Sequence, residues 1–245
     1  MNAALVSGIR QALAAAADPE RAAAQQAYMK SAMPYRGVAT PESRRICRDA
    51  FRAQPIADPE DWQATARELW RGATYREERY AALELVGHRP YRRFFDLSLI
   101  PLLEEFVVDG AWWDYVDVVA INFVGALLSR HPKTLRPLLL AWSADDDLWR
   151  RRTAILAQLK YKTATDWRLQ QRLMAPSLTS TEFFLRKALG WALREYSKTD
   201  PDAVLRYVRD HAGTLSGLTR REGLKVLRKQ GRIPADDPLL GRSTR

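Results

Sequence analysis

Apolar residues recur along this chain at the three- and four-residue spacings of amphipathic helices, and no run alternates with the period of two expected of a strand. No Asn-Gly hairpin signal occurs either. The breaks are regular: Asp18-Pro19, Thr40-Pro41, Asp58-Pro59, His131-Pro132, Ala175-Pro176 and Asp200-Pro201. They separate periodic runs of roughly 12 to 20 residues. Asp18, Thr40, Asp58 and Asp200 suit N-cap positions, with proline at the first helical position. The pattern predicts helices over 2–16, 20–32, 41–53, 59–71, 75–87, 97–107, 111–130, 133–143, 147–161, 165–174, 181–198, 201–212 and 218–229. The predicted class is all-α.

The helices repeat. Leu148-Trp149-Arg150-Arg151-Arg152-Thr153-Ala154-Ile155-Leu156 aligns with Phe183-Phe184-Leu185-Arg186-Lys187-Ala188-Leu189-Gly190-Trp191 at an offset of 35. A further 35 reaches Arg220-Arg221-Glu222-Gly223-Leu224, and Arg79-Tyr80-Ala81-Ala82-Leu83 matches from upstream. This period, built from helix pairs, predicts a helical solenoid; the signature of tetratricopeptide repeats is missing, which favours HEAT-like pairs. Stacked pairs bury a continuous core and leave a concave face. With no Gly/Ser-rich linker, residues 1–231 are expected to form one repeat domain, followed by a loose tail over 232–245. Along the repeat, Arg79, Asp117, Arg152 and Lys187 take comparable places, one acid among cations.

Composition sharpens the picture. The 39 basic and 29 acidic residues of this 245-residue chain give +10, which suits a polyanionic partner, nucleic acid before anionic membrane. An arginine-rich proteome would also produce such a charge. One cysteine, Cys47, excludes an internal disulfide and a four-cysteine zinc site, and His88, His131 and His211 lack metal-ligand spacing. Neither a cleavable leader nor an apolar run of the ~20 residues that cross a bilayer stands out. The expectation is a soluble, cytoplasmic protein that does not engage membranes.

Two places carry candidate chemistry. On the helix at 181–198, Lys187, Trp191, Arg194 and Lys198 fall on one stripe, opposite Leu185, Ala188, Leu189, Ala192 and Tyr196. The stripe reads as an exposed basic row with an indole in it: either a solvated face or a phosphate-tracking surface with an aromatic reserved for a base or sugar. Asp117 and Arg152 lie instead among apolar positions, where a lone charge is costly. They are expected either to form a structural ion pair between adjacent repeats or to edge the concave surface, with Trp113 one turn before Asp117. Trp62, Trp70, Trp142, Trp149 and Trp167 read as core, and Asp145-Asp146-Asp147 as a helix N-terminal cap.

Longer motifs run through these positions: Tyr28-Met29-Lys30, Trp112-Trp113-Asp114-x-Val116-Asp117, Arg152-x-Ala154-Ile155-Leu156-x-Gln158-Leu159-Lys160-Tyr161-Lys162, and Phe183-Phe184-x-x-Lys187-Ala188-x-Gly190-Trp191-x-Leu193-Arg194-Glu195-Tyr196-x-Lys198-Thr199. Together they resemble the AlkD-type glycosylases of the DNA alkylation repair family, over residues from about 2 to 229. The resemblance implies a C-shaped stack of HEAT-like repeats holding duplex DNA in a concave basic face. It also implies hydrolysis of the N-glycosidic bond of cationic N3- and N7-alkylpurines such as 3-methyladenine and 7-methylguanine, with the lesion left stacked. Carried over by motif, Asp117 is the catalytic acid, Trp113 and Trp191 are cleft aromatics, Arg152 is the neighbouring basic residue, and Tyr28 is a further aromatic at the cleft. Lys30, Lys160, Lys187, Arg194 and Lys198 are expected to join Arg152 in holding DNA. The expected enzyme is a monofunctional monomer of the bacterial cytosol or nucleoid, without metal or organic cofactor. The competing expectations are a non-catalytic HEAT-repeat module that binds DNA or protein, and a peptide-binding solenoid.

Overall fold

The computed structural model describes residues 1–234 and 236–241. Among these, every regular element is helical and no strand occurs. The chain forms two compact units, Met1–Leu102 and Leu103 onward.

The first unit holds α1 (Ala3–Ala15), α2 (Pro19–Met29), α3 (Thr40–Ala53), α4 (Pro59–Arg71) and α5 (Arg76–Gly87). As the Asp-Pro pairs predict, Asp18 and Asp58 cap α2 and α4, each carboxylate accepting the amide three residues on, from Arg21 and Asp61. Helix α1 packs on α3, α4 and α5 through Leu5, Ile9 and Leu13, which are fully buried with Trp62, Leu69, Trp70 and Leu85. Trp62 also gathers Tyr91, Phe94 and Phe95 from the one-turn segments that follow α5. The expected helix over 20–32 stops early, because Lys30 takes a left-handed conformation (φ 49°) and caps α2. Cys47 is wholly buried in α3, and that burial pushes its thiol pKa up to about 12, as suits a packing residue.

Helix α6 (Ile100–Gly110) leads into the second unit. There follow α7 (Trp113–Val118), α8 (Gly125–Arg130), α9 (Pro132–Ser143), α10 (Leu148–Leu156), α11 (Trp167–Met174), α12 (Phe183–Tyr196), α13 (Pro201–Asp210), α14 (Gly217–Gly223) and α15 (Lys225–Lys229). The 35-residue offset has a direct structural meaning here. Positions 117, 152, 187 and 222 fall on α7, α10, α12 and α14, and each of these helices packs on the next. The partner helices α9, α11 and α13 pack against α10 or α12 from behind. This is the repeat-like stacking of a helical solenoid. Ile155, Leu156, Leu185, Leu189, Leu193, Val204, Val208 and Leu224 form one continuous core.

Three sequence expectations change in this unit. The helix expected over 111–130 is interrupted by a π-helical turn, Val119–Val124, where Asn122 Nδ2 donates back to the Val118 carbonyl at 3.1 Å. The helix expected to reach 161 ends at Leu156. Beyond it the main chain tightens to three-residue bonds, Leu159 N–H to the Leu156 carbonyl and Tyr161 N–H to the Gln158 carbonyl, while the Gln158 side chain bonds the main chain of Asp166 and the side chain of Gln170. The helix expected over 218–229 is split at Leu224. Of the tail, residues 235 and 242–245 lie outside the described residues, while Ile233 and Leu240 are buried in the core of this unit.

Candidate functional site

The α7 helix begins at Trp113 and puts Asp117 one turn later, facing α10. Arg152 on α10 meets it with two prongs: Nε donates to Oδ1 at 2.7 Å and Nη2 to Oδ2 at 2.9 Å. A third donor, Nη1, reaches the Phe184 carbonyl on α12 at 2.6 Å. The guanidinium thus ties three successive repeats. Its side chain is only 5% exposed and that of Asp117 13%, so the pair is nearly dry but not sealed. Burial pushes the Asp117 pKa above the ordinary aspartate value; the Arg152 bonds and charge pull it back, and Asp114 adds a smaller push upward. Asp147 caps α10 by accepting from the Trp149 and Arg150 amides, which fixes the start of the helix that carries Arg152.

Of the two expectations for this pair, the structure bears out the ion pair. The ion pair exists, with the bidentate geometry that makes arginine–carboxylate contacts strong. The carboxylate nevertheless keeps some exposure. Trp113 and Trp191 are each partly exposed, whereas Trp112 is turned against Trp149 and Phe184, with ring centroids 6.2 and 5.3 Å away. Of the five tryptophans expected in the core, Trp62, Trp70, Trp142 and Trp149 are buried; Trp167 is partly exposed and stacks on Tyr196 at 4.4 Å.

The α12 stripe is less bare than its sequence suggests. Leu185, Ala188, Leu189 and Ala192 bury one side as expected. On the other, Lys187 Nζ donates to Glu222 Oε2 at 2.8 Å, and Arg194 binds the second oxygen of the same carboxylate. Lys198 is paired with Glu195 at 2.6 Å. The physical reason is the packing of α14, which a single helix read in isolation does not reveal. Gly190 lets it approach: a Cβ there would lie 2.6 Å from Glu222 Cβ and 3.0 Å from the Thr219 carbonyl. Burial lowers the Lys187 pKa, and the Arg194 and Arg152 charges lower it further.

The remaining motif residues have separate jobs. Lys160 is exposed, with Nζ donating to Asn122 Oδ1 at 2.7 Å, and Tyr161 donates its hydroxyl to the Gly125 carbonyl at 2.6 Å. Both contacts attach the segment after α10 to the π-turn region after Asp117. In the first unit, Tyr28 is 78% exposed near the end of α2, and Lys30 is the exposed cap residue that follows.

The sequence model of the family described as "DNA alkylation repair enzyme" matches residues 9–227. The chain belongs to the DNA alkylation repair enzyme family. A solved structure, "Predicted DNA alkylation repair enzyme from Enterococcus faecalis", is 31% identical, with a TM-score of 0.78, covering 87% of this chain and 97% of that one. The structure of smu.31 from Streptococcus mutans UA159 is 19% identical with a TM-score of 0.52, covering 69% of this chain and 83% of that one, and shares the fold. No curated protein matches the chain.

Membership gives this alkylation repair protein a role in mending alkylated DNA. No helix among the described residues is long and apolar enough to cross a membrane. Sequence reasoning aligned Glu222 with the repeat but did not name it as a site residue. The signal was present: Glu222 follows Lys187 by the same 35 residues that separate Asp117 from Arg152.

Proposed function

We propose that this protein is a monofunctional, monomeric DNA glycosylase that hydrolyses the N-glycosidic bond of cationic N3- and N7-alkylpurines, 3-methyladenine and 7-methylguanine among them, in duplex DNA. The observation that carries the reading is the two-pronged Asp117–Arg152 pair, one turn after Trp113. Arg152 fixes the carboxylate's orientation and opposes the protonation that burial favours. A carboxylate offers roughly four lone-pair sites, so two contacts leave room for a sugar or a water.

The chemistry suits such a group. An alkylated N3 or N7 already makes the purine cationic, so the base departs without being protonated. What the reaction demands is stabilisation of the deoxyribose as it becomes oxocarbenium-like. A fixed carboxylate supplies this by charge and can orient or deprotonate the attacking water. Unit charges about 4 Å apart attract by about 1 kcal/mol in water but about 4 kcal/mol at an effective dielectric near 20. The near-dry setting of Asp117 favours the second regime, and the indoles of Trp113 and Trp191 add cation–π attraction for sugar and base. A neutral purine gains less from every one of these contacts and leaves less readily. Lys30, Lys160, Lys187, Arg194 and Lys198 serve phosphates, and Tyr28 contacts the duplex from the first unit.

A second reading, a DNA-binding module without catalysis, is favoured by the 13% exposure of a carboxylate already held by Arg152. Incubation with methylated duplex DNA separates the two. Release of 7-methylguanine or 3-methyladenine by the wild type, sharply reduced in Asp117→Asn, supports the glycosylase. Binding without release supports the module.

A further inference from the structure

Glu222 stands apart from the other acids near the α12 stripe. Glu195 pairs with Lys198 in the turn just past the end of α12, a partly exposed contact of the kind that contributes little. Glu222 reaches across from α14, its side chain 13% exposed, and takes Lys187 with one oxygen and Arg194 with the other. These two cations flank Trp191 on the stripe, four residues before it and three after.

The carboxylate is held by the scaffold. Helices α12 and α14 meet at two glycines, Gly190 under Glu222 and Gly223 under Leu193. Thr219 Oγ1 donates to the Arg186 carbonyl at 3.1 Å and locks α14 along the same helix. Glu222 therefore has little side-chain freedom left to lose, and the entropic cost of the pair falls mainly on the more exposed Lys187. Without Glu222, Lys187 would face the guanidiniums of Arg194 and Arg152, whose charges already depress its pKa. Two oxygens bridging two cations is also the geometry a backbone phosphate would present to them.

We infer that Glu222 is a resident counter-ion that occupies the Lys187–Arg194 phosphate site in the free protein and so limits the grip on undamaged duplex. The inference rests on the reading of the α12 stripe as a phosphate-binding surface. When a phosphate arrives, Glu222 either yields the two cations or shares them, and fewer salt ions are released than two free cations would release. The effect is independent of base identity. It lowers affinity everywhere along DNA and speeds release between sites, so that selectivity rests on the lesion contacts.

The test is a salt titration of undamaged duplex binding by the full chain, wild type against Glu222→Gln. The isosteric variant is expected to bind several-fold tighter near physiological salt, with a log–log slope steeper by about 0.9 to 1.8, one to two more phosphates neutralised. Adding Lys187→Gln to that variant should reverse part of the gain. A folded Glu222→Gln protein that binds no tighter, with an unchanged slope, overturns the inference. Should that variant fail to fold, Lys187→Gln alone decides. A slope reduced by clearly less than about 0.9 supports a lysine already neutralised; loss of the full value overturns it. Wild-type protein with no salt-sensitive duplex affinity at all would instead remove the reading of the stripe, a different result from either.

Discussion

Asp117 and Arg152, 35 residues apart, close a two-pronged ion pair at 2.7 and 2.9 Å between consecutive repeats of the second unit. The contact carries both stability and the proposed chemistry, and one substitution probes both. Asp117→Asn keeps the shape and one acceptor but removes the charge. Excision of 7-methylguanine should fall by about 10²–10³, the scale of a single electrostatic contributor, while duplex binding persists. Because Arg152 loses a buried partner, stability should drop by about 3 kcal/mol. Release assays, binding and thermal melting on the same preparation check all three; undiminished release would take Asp117 out of the mechanism.

The acid limb of the pH–rate profile should report the same pair. Asp117 acts when ionised, so activity falls as pH drops through its pKa. Burial holds that pKa above the ordinary aspartate value even with Arg152 in place, and the limb should sit correspondingly high. Arg152→Met removes the group that favours the anion and therefore moves the limb to still higher pH. Profiles of kcat/KM for the two proteins on methylated duplex measure the displacement. Superimposable limbs would assign the titration to another group.

Much of this was legible in the sequence, and the exceptions share a cause. Asp-Pro caps and apolar periodicity are local, and Asp18, Asp58 and Asp200 cap their helices as expected, whereas Thr40 lies inside α3, whose N-cap is Ala39. The 35-residue offset also carries tertiary information, since it matches Asp117 with the Arg152 it pairs with in the fold. Much of what escaped depends on partners distant in sequence. The neutralisation of Lys187 and Arg194 follows from the close approach of α14 at Gly190, and nothing within 181–198 announces it. The π turn after Asp117 conforms to the same apolar pattern as an α-helix; what distinguishes it is the return bond from Asn122 and the anchoring of Gly125 by Tyr161.

Not every cation of the proposed interface should weigh equally in a salt titration. Lys160 is exposed and bonded to a neutral amide, so its full charge remains available to a phosphate. Lys198 is already paired with Glu195. Lys160→Ala should flatten the log–log slope by about 0.9, and Lys198→Ala by less. Equal effects from the two would mean that the Glu195 pair does not survive in solution or opens fully on binding.

The glycines give the sharpest test of the packing that presents Glu222. Gly190→Ala sets a Cβ 2.6 Å from Glu222 Cβ and 3.0 Å from the Thr219 carbonyl, a backbone atom that cannot swing aside. Helices α12 and α14 must part, at a cost of about 1–3 kcal/mol. For a chain of this size each kcal/mol lowers the melting temperature by about 2–4 °C. The separation also loosens Glu222 from Lys187 and Arg194, so duplex binding at low salt should change with stability. Gly8 supplies the contrast: it is an exposed position inside α1, and an added Cβ meets nothing within 4 Å. Gly8→Ala should therefore stabilise the protein by about 0.8–1 kcal/mol through helix propensity and leave DNA binding unaltered. Melting curves of the two variants should move in opposite directions; a Gly190→Ala protein as stable as wild type would mean that α12 and α14 do not meet at this glycine.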